Sequence, residues 1–402
     1  MDRFYLRCTR CHTKRKFELT GRCACGGTLL VHYDLEQVAH TLSRDALNSR
    51  IASMWRYREL LPLASYESIV TLGEGWTPLI RLPRLERRLD LSEVHVKREE
   101  QNPTGSFKAR GFSSTISMLH EYGITRVAVP SNGNAASAMA AYAARAGMEA
   151  YVIVPRDCPG IIMEECRRYG ASTFQVNGLI HDAGAIIEQG KAEQGWFHAG
   201  TMKEPGRVEG KKTMGLEVAE QLDWKLPDVI IYPTGGGSGI VGLWKAFREL
   251  GELGWLADRR LPRLVSVQEA GCAPLVSALR DGGSVRPVPE PVTSSPTGLR
   301  VPNPPDGDLI ASILRESEGT AVEVTTVEIA RAQRQFGFEG LSSSSESAAT
   351  LAALLQLRES GWIAAGESVV LFHTSHADKY LNWKPSPAPP VVSSYAELRQ
   401  WL

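Results

Sequence analysis

The sequence predicts an α/β protein with two open, twisted parallel sheets and a small cysteine-rich ribbon at the N-terminus. Four short apolar runs in the first half of the chain predict strands, at 126–130, 150–155, 172–177 and 196–200. Helical segments separate them, at 134–147, 159–170 and 180–194. Strands that alternate with helices at this spacing form a parallel sheet with right-handed crossovers. A second set of runs predicts the second sheet, at 228–232, 263–268 and 368–373.

The order of these elements predicts how the chain is divided. The stretch 36–70 is expected to be helical, because apolar residues recur there at a spacing that suits one face of a helix. The predicted limits are 1–35 for the ribbon, 36–115 and 206–385 for a large domain, 116–205 for a smaller inserted α/β domain, and 386–402 for a C-terminal tail.

Composition and charge exclude several classes of function. The chain has 402 residues, with 45 Lys and Arg against 45 Asp and Glu, so its formal net charge is zero. A neutral chain lacks the cationic field that non-specific nucleic-acid binding needs, and no apolar run approaches the ~18–20 residues of a membrane span. We therefore expect a cytoplasmic protein that acts on a small molecule, with neither nucleic acid nor membrane as a partner.

Four of the seven cysteines form a cluster near the N-terminus. Cys8-x2-Cys11 is followed, after eleven residues, by Cys23-x-Cys25. Two close cysteine pairs across a short hairpin are what tetrahedral zinc requires, although zinc ribbons usually have two or more residues inside each pair. Two alternatives stay open, a zinc site and a metal-free ribbon that keeps the same turns.

A lysine at a predicted helix start is the first candidate for catalysis. Residues 102–111 have the sequence NPTGSFKARG, in which a turn precedes the helix and Lys108 stands at its beginning. The positive end of the helix dipole favours a neutral amine, and Schiff-base chemistry with a carbonyl requires a neutral amine. The alternative is a capped helix with a solvated lysine.

A glycine-rich loop is the second candidate. Residues 232–240 have the sequence YPTGGGSGI and lie between a predicted strand and a predicted helix. Successive glycines allow backbone N–H groups to converge on an anion, and the helix N-terminus adds its dipole. The loop lacks the Gly-Lys-Ser/Thr of nucleoside-triphosphate sites, so a compact monophosphate fits best. A merely flexible turn is the alternative.

Two further polar segments also follow predicted strands. Residues 131–135, SNGNA, offer N–H groups and amides suited to a carboxylate, unless they only cap a helix. Thr374 follows the last strand, at the edge where open α/β sheets bind ligands. A neutral lysine, a monophosphate loop, a carboxylate loop and a hydroxyl together describe a pyridoxal 5′-phosphate site that acts on an amino acid.

The sequence resembles the fold-type II pyridoxal-phosphate enzymes and, within them, the threonine synthases. The resemblance extends from about residue 5 to about residue 382 and includes the segments above. Further motifs carry it, LGEGWTPL at 72–79, EGKKT at 209–213 and GLRVP at 298–302. It implies a homodimeric lyase that converts O-phospho-L-homoserine and water to L-threonine and phosphate.

The resemblance also implies a role for each site residue. Lys108 would hold the cofactor as a Schiff base and move protons, while Asn134 would contact the ring hydroxyl and Thr374 the ring nitrogen. The residues expected at the cofactor phosphate are Gly235, Gly236, Gly237, Ser238 and Gly239. The residues expected at the substrate are Ser131 and Asn132 for its carboxylate, with Arg110, Lys211, Lys212 and Arg300 as candidates for its phosphate.

This chain departs from the usual threonine synthase pattern at several positions. Ala109 follows the lysine where aspartate is usual, and Trp76 stands where asparagine is frequent. Ser375 replaces a glycine, and residues 342–347 replace a Cys-Pro-Glu-Gly-Ala type segment. We expect each departure near the substrate side chain. A different reaction on the same scaffold therefore stays open, either β-elimination from serine or threonine or β-replacement on a phosphoserine-like substrate.

Overall fold

The computed structural model describes residues 3–293 and 298–380. Its strands are β1 (Phe4–Cys8), β2 (Lys14–Arg15), β3 (Leu29–Tyr33), β4 (Leu79–Arg81), β5 (Glu93–Arg98), β6 (Arg126–Pro130), β7 (Glu149–Pro155), β8 (Ser172–Val176), β9 (Phe197–His198), β10 (Val229–Pro233), β11 (Arg263–Glu269), β12 (Thr320–Val324) and β13 (Ser368–His373). Its α-helices are α1 (Leu35–Thr41), α2 (Arg44–Leu47), α3 (Pro83–Leu89), α4 (Lys108–Glu121), α5 (Asn134–Arg145), α6 (Gly160–Arg168), α7 (Ile180–Gln194), α8 (Gly206–Gln221), α9 (Ser238–Glu252), α10 (Pro274–Asp281), α11 (Gly307–Glu316), α12 (Thr326–Phe338) and α13 (Ser345–Glu359). None of the described helices is long and apolar enough to cross a membrane. The predicted C-terminal tail and the end of the large domain at 385 lie outside the described residues.

The described strands form three sheets. β2, β1 and β3 make the antiparallel N-terminal ribbon. The larger sheet has the order β12-β11-β10-β13-β5-β4, and the smaller has the order β8-β7-β6-β9. All pairings in both are parallel except that of the edge strand β4 with β5.

The predicted fold class is therefore confirmed, with two largely parallel sheets and a ribbon. β4 is an addition, because a three-residue edge strand leaves too short an apolar run to predict. The smaller sheet is built entirely from residues 126–198, inside the predicted insertion. The domain limits themselves stay a prediction.

The prediction of a helical segment at 36–70 is wrong in its extent. After α2, the chain forms a 3₁₀ helix at Met54–Leu60 that is kinked at Tyr57. Arg56 Nη2 pairs with Glu220 Oε1 at 2.7 Å, and the Tyr57 hydroxyl also donates to the Glu220 carboxylate. This segment therefore follows the surface of α8, and those tertiary contacts override the local apolar spacing.

The central strands of the larger sheet are buried on both faces. In β10, Val229 and Ile231 pack into one apolar core, while Ile230 and Tyr232 pack into the other. Successive side chains of a strand point to opposite faces, so a continuous run of β-branched and aromatic residues suits a sheet covered by helices on both sides. The ribbon shares one of these cores, since Leu6 belongs to the same apolar cluster as Ile230.

The carboxyl ends of three strands carry the loops singled out in the sequence. Ser131 directly follows β6, Gly235 lies two residues beyond β10, and Thr374 directly follows β13. Ligands bind at these ends in open parallel sheets. The fold therefore brings the predicted loops to one crevice.

Candidate active site

The loops after β6, β10 and β13 border one cavity of about 310 Å³. Residues of both parallel sheets contribute to its wall. The predicted site residues that border it are Lys108, Ser131, Asn132, Asn134, Gly235, Gly236, Gly237, Ser238, Gly239, Arg300 and Thr374. Arg110 and Lys211 are not among the residues that border it.

Lys108 is the first residue of α4, and its Nζ lies 4.0 Å from the centroid of the Phe107 ring. The pKa of Lys108 is lowered from 10.5 to about 7, mainly by burial and further by the charge of Arg207, while the charge of Glu346 opposes both. A large fraction of the amine is therefore neutral near pH 7, which suits attack on a carbonyl. Burial is thus the main cause of the lowered pKa, where the sequence suggested the helix dipole.

At Gly235, Gly237 and Gly239 the loop has no room for a side chain. A Cβ on Gly235 would lie 2.0 Å from the carbonyl oxygen of Gly298, and one on Gly239 would lie 2.2 Å from the hydroxyl oxygen of Tyr232. Gly237 has φ +75° and offers no side-chain cap to α9. The N-terminal N–H groups of α9 are thus free of a side-chain cap beside the cavity, and such groups bind anions.

The loop after β6 is held by its own serine. Ser131 Oγ accepts hydrogen bonds from the N–H groups of Gly133 and Ala136 at 3.1 and 3.2 Å. Asn134 Nδ2 donates to the hydroxyl of Tyr380 at 2.9 Å. In the described part of the chain, Asn134 Oδ1 and Asn132 Oδ1 are buried without a hydrogen-bond partner. Buried amide oxygens without partners indicate that a ligand donates to them.

Glu346 and Tyr380 also border the cavity. Sequence reasoning placed Glu346 near the substrate only as part of the segment 342–347, and it missed Tyr380. Glu346 Oε1 accepts a hydrogen bond from the N–H of Gly298 at 2.7 Å. Burial raises the pKa of Tyr380 well above 10, and the charge of Glu346 acts in the same direction. The signal available for Glu346 was a lone carboxylate within the serine-rich segment 342–347, and Tyr380 directly follows the closing motif.

The expectation that Arg110 contacts substrate phosphate is contradicted by its position. Its guanidinium is fully buried and forms ion pairs with Glu99 Oε2 at 2.6 Å and Glu217 Oε1 at 2.5 Å. Lys97 Nζ pairs with the same Glu217 at 2.7 Å. The charge of Arg110 is therefore balanced by two carboxylates inside the protein. Because Glu217 lies on α8, the ion pair stabilises the packing of α4 on α8.

Lys211 and Lys212 are also displaced from the expected role. Lys211 Nζ donates to Ser238 Oγ at 2.6 Å, so it supports the glycine loop from behind. Lys212 Nζ pairs with Glu209 Oε2 and Glu249 Oε2, both at 2.8 Å. These partners leave neither lysine directed at a ligand in the cavity.

Cations from other segments do border the cavity, namely Lys203, Arg207 and Arg300. Burial lowers the pKa of Arg207 from 12.5 to about 10, but this value is still high enough for the guanidinium to be protonated at neutral pH. Arg300 pairs with Asp157. Arg207 lies four residues before Lys211 on α8, and this one-turn spacing was the available signal for it.

The departures from the family pattern divide into two groups by position. Ser375 and Glu346 border the cavity, as expected. Ala109 is fully buried in the core, and Trp76 lies under Arg56, whose guanidinium carbon is 4.0 Å from the ring centroid. The expectation that these two lie near the substrate is therefore wrong, because helix packing and an arginine contact occupy their surroundings.

The four N-terminal cysteines come together at one point of the ribbon. Their sulfur atoms all lie within 4.8 Å of one another. Cys8 Sγ is 3.5 Å from Cys25 Sγ, and Cys11 Sγ is 3.7 Å from Cys23 Sγ. The short spacing of the second pair has not prevented a four-sulfur cluster.

The residues around the cavity fit pyridoxal phosphate. The glycine loop supplies N–H groups for its phosphate, the buried Lys108 supplies an amine for its aldehyde, and Asn134 Oδ1 lacks a donor. Thr374 is buried beside these groups and can face the ring nitrogen. The donor set thus meets the chemical needs of each polar part of the cofactor.

Comparison with known proteins agrees with this geometry. The pyridoxal-phosphate dependent enzyme family matches residues 70–375. The threonine synthase of Methanocaldococcus jannaschii is 35% identical over 377 residues, covering 93% of this chain and 92% of that protein. The threonine synthase of Methanosarcina acetivorans is 34% identical, covering 93% and 91%.

Solved structures of similar fold include maize serine racemase, with a TM-score of 0.65 and 22% identity over 81% of this chain and 91% of that one. A threonine deaminase from Solanum lycopersicum has a TM-score of 0.67 and 20% identity, covering 83% and 93%. These two likenesses concern the fold alone. On the family match and the relatives of similar length, the chain belongs to the threonine synthase family of pyridoxal-phosphate dependent enzymes.

Proposed function

We propose that this enzyme converts O-phospho-L-homoserine and water to L-threonine and phosphate, the last step of threonine biosynthesis. The relatives named threonine synthase extend over nearly the whole chain. The observation that carries the proposal is the presence of two anion-binding regions in one cavity. The glycine loop forms one, and Lys203, Arg207 and Arg300 form the other.

A second anion-binding region matters because the cofactor phosphate would occupy the first. The phosphate of O-phospho-L-homoserine then needs cations of its own, and charge-assisted hydrogen bonds from lysine and arginine suit it. Arg207 is buried and Lys203 is about half exposed, so this region combines a buried cation with one that solvent can reach. Arg300 pairs with Asp157 and Lys203 Nζ lies 3.6 Å from Glu188 Oε2, so a substrate phosphate would compete with these carboxylates.

When bound, pyridoxal phosphate supplies an aldehyde for the lysine amine and an electron-accepting ring for the amino-acid carbanion. Lys108 Nζ would take the proton from the substrate Cα, since a pKa of about 7 lets it accept and return protons near neutral pH. The side-chain N–H groups of Asn132 and the N-terminus of α5 would orient the substrate carboxylate. The buried wall around Lys108 would exclude bulk water until one molecule is needed at Cβ.

A variant of the second anion-binding region tests the proposal. Lys203→Gln should raise KM for O-phospho-L-homoserine about tenfold or more, because it removes a charge-assisted hydrogen bond worth ~1.5–3 kcal/mol. Lys191→Gln, an exposed lysine of α7, should leave KM unchanged. The measurement is steady-state release of phosphate.

A panel of substrates separates the proposal from its alternatives. We expect turnover of O-phospho-L-homoserine and none of L-homoserine, L-serine or L-threonine. Conversion of unphosphorylated serine or threonine to a keto acid would instead indicate β-elimination. Replacement of the phosphate of O-phospho-L-serine by an added nucleophile would indicate β-replacement.

We further propose that the cysteine cluster binds zinc. In a tetrahedral site with Zn–S bonds of about 2.3 Å, the sulfur atoms lie roughly 3.8 Å apart. The distances of 3.5 and 3.7 Å between paired sulfur atoms support this geometry.

A cytoplasmic location and a homodimer complete the proposal. Zinc per chain by elemental analysis and mass by light scattering test the zinc and the dimer.

A further inference from the structure

The ribbon contacts a segment that borders the active-site cavity. The N–H of Gly21 donates to the carbonyl oxygen of Lys203 at 2.8 Å. The approach is tight, because a Cβ on Gly21 would lie 2.4 Å from the carbonyl oxygen of Met202 and 2.8 Å from the nitrogen of Glu204. The backbone on which Lys203 is carried is thus held directly by the ribbon.

The segment under Gly21 has an unfavourable backbone conformation. Met202 has φ +60° and is almost fully buried. A non-glycine residue in this region costs about 1–3 kcal/mol and persists only where its surroundings hold it. The contact with the ribbon is one of those surroundings.

The ribbon also contacts a second segment of the cavity wall. Arg22 Nη2 donates to the carbonyl oxygen of Pro305, which borders the cavity, and Thr28 Oγ1 donates to Asp306. Asp306 caps the N-terminus of α11. Ile310 of α11 packs against Gly237 so closely that a Cβ on Gly237 would lie 1.9 Å from Ile310 Cδ1. This chain of contacts reaches from the ribbon to the glycine loop.

The stretch 21–28, which makes these contacts, contains the second cysteine pair. Cys23 and Cys25 fall within this stretch, and the N–H of Cys23 donates to the carbonyl oxygen of Gly27 at 2.9 Å. β2 has only two residues, and segments of fewer than ~40 residues usually need a metal or disulfides to hold their shape. The four-sulfur centre is therefore what can fix the position of residues 21–28.

We propose that zinc bound by Cys8, Cys11, Cys23 and Cys25 is a positioning element of the active site. It holds residues 21–28 against 202–204 and 305–306, and so fixes Lys203 for the substrate phosphate. This inference rests on the proposed function for the identity of the substrate. The ribbon contacts the backbone of Lys203 directly but reaches the glycine loop only through Asp306 and α11, so we expect the cofactor to stay bound when the metal is lost.

Removal and return of zinc test this inference on the holoenzyme. Chelation should raise KM for O-phospho-L-homoserine about tenfold, the effect of misplacing one charged hydrogen bond, while the visible absorbance of the bound cofactor stays unchanged. Added Zn²⁺ should restore KM. Hydrogen exchange should accelerate in residues 200–206 and 303–309 of the metal-free protein and not in β10.

A pair of glycine variants separates docking from metal binding. Gly21→Ala should retain one zinc per chain and still show the raised KM and the faster exchange at 200–206. Gly26→Asn is the matched control, because Gly26 has φ +83°, which asparagine tolerates, and its nearest neighbouring atom is 3.5 Å from a Cβ. This variant should resemble the wild type in zinc content and KM.

Three results would overturn the inference. They are a protein that binds no zinc, a metal-free protein with wild-type KM and exchange, and a zinc-loaded Gly21→Ala protein with wild-type KM. If the wild type does not turn over O-phospho-L-homoserine, the proposed function fails. The exchange measurement then still decides whether zinc holds the two segments.

Discussion

Replacing Arg110 with methionine should destabilise the fold and leave substrate affinity unchanged. Arg110 forms ion pairs with Glu99 at 2.6 Å and with Glu217 at 2.5 Å, and all three side chains are fully buried. Loss of one partner from a buried ion pair leaves uncompensated charge and costs about 3–5 kcal/mol. Methionine fills similar space, so the loss reflects charge rather than a cavity.

The pKa of Glu217 reflects the combined effect of Arg110 and Lys97 on this carboxylate. Burial alone would raise this pKa, but the charges of Arg110 and Lys97 lower it from 4.5 to about 2. At ~1.4 kcal/mol per pH unit, this corresponds to about 3 kcal/mol of stability. Because the folded-state pKa is lowered, that stability is present above about pH 4.5 and is lost as the pH falls toward 2. The difference in free energy of unfolding between the wild type and Arg110→Met should therefore become smaller as the pH falls over this range.

Chemical denaturation between pH 2 and pH 7 measures the stability, and KM at neutral pH on the folded protein measures the substrate affinity. Arg126→Met is the matched control, since Arg126 pairs with Glu149 at 2.9 Å on an exposed surface, and its effect on stability should be much smaller. A raised KM with unchanged stability in Arg110→Met would refute this reasoning. It would return Arg110 to the substrate-binding role that the sequence suggested.

Three more predictions concern the cofactor site. Lys108→Ala should abolish turnover and the absorbance of the lysine-bound cofactor while retaining the wild-type circular dichroism spectrum, and residual turnover would contradict its role. Gly239→Ala should weaken cofactor binding about tenfold or more in an equilibrium titration, because its Cβ would lie 2.2 Å from the Tyr232 hydroxyl oxygen. Gly251→Ala in the same helix has open space around it and should bind the cofactor normally. The rate at which the apoprotein captures pyridoxal phosphate should rise with pH and level off above about pH 7, as the pKa of Lys108 requires, and a rise continuing to pH 10 would contradict it.

Most of the parallel sheets could be predicted from the sequence because local patterns determine them. β6, β10 and β13 are continuous buried runs, each followed by a polar or glycine-rich loop. The loops that border the cavity were found for the same reason, since the carboxyl end of a parallel strand has a fixed place in an open sheet. By contrast, the kinked segment at 54–60 depends on contacts with α8 that no local pattern records.

The errors at the site have a geometric cause. Lys108 and Arg110 are two residues apart on α4, and residues at that spacing point to nearly opposite sides of a helix. When Lys108 faces the cavity, Arg110 must face the interior. Lys203 and Glu346 come from segments far apart in the sequence, and only the folded chain brings them to the same cavity.

The most direct test of the central claim uses the pyridoxal-phosphate-loaded protein with O-phospho-L-homoserine. Released phosphate and L-threonine should be measured in the same reaction. We predict that the wild type releases phosphate and L-threonine in equal amounts. Lys108→Ala should release neither. The absence of both products, in a protein whose cofactor absorbance is present, would contradict the proposed function.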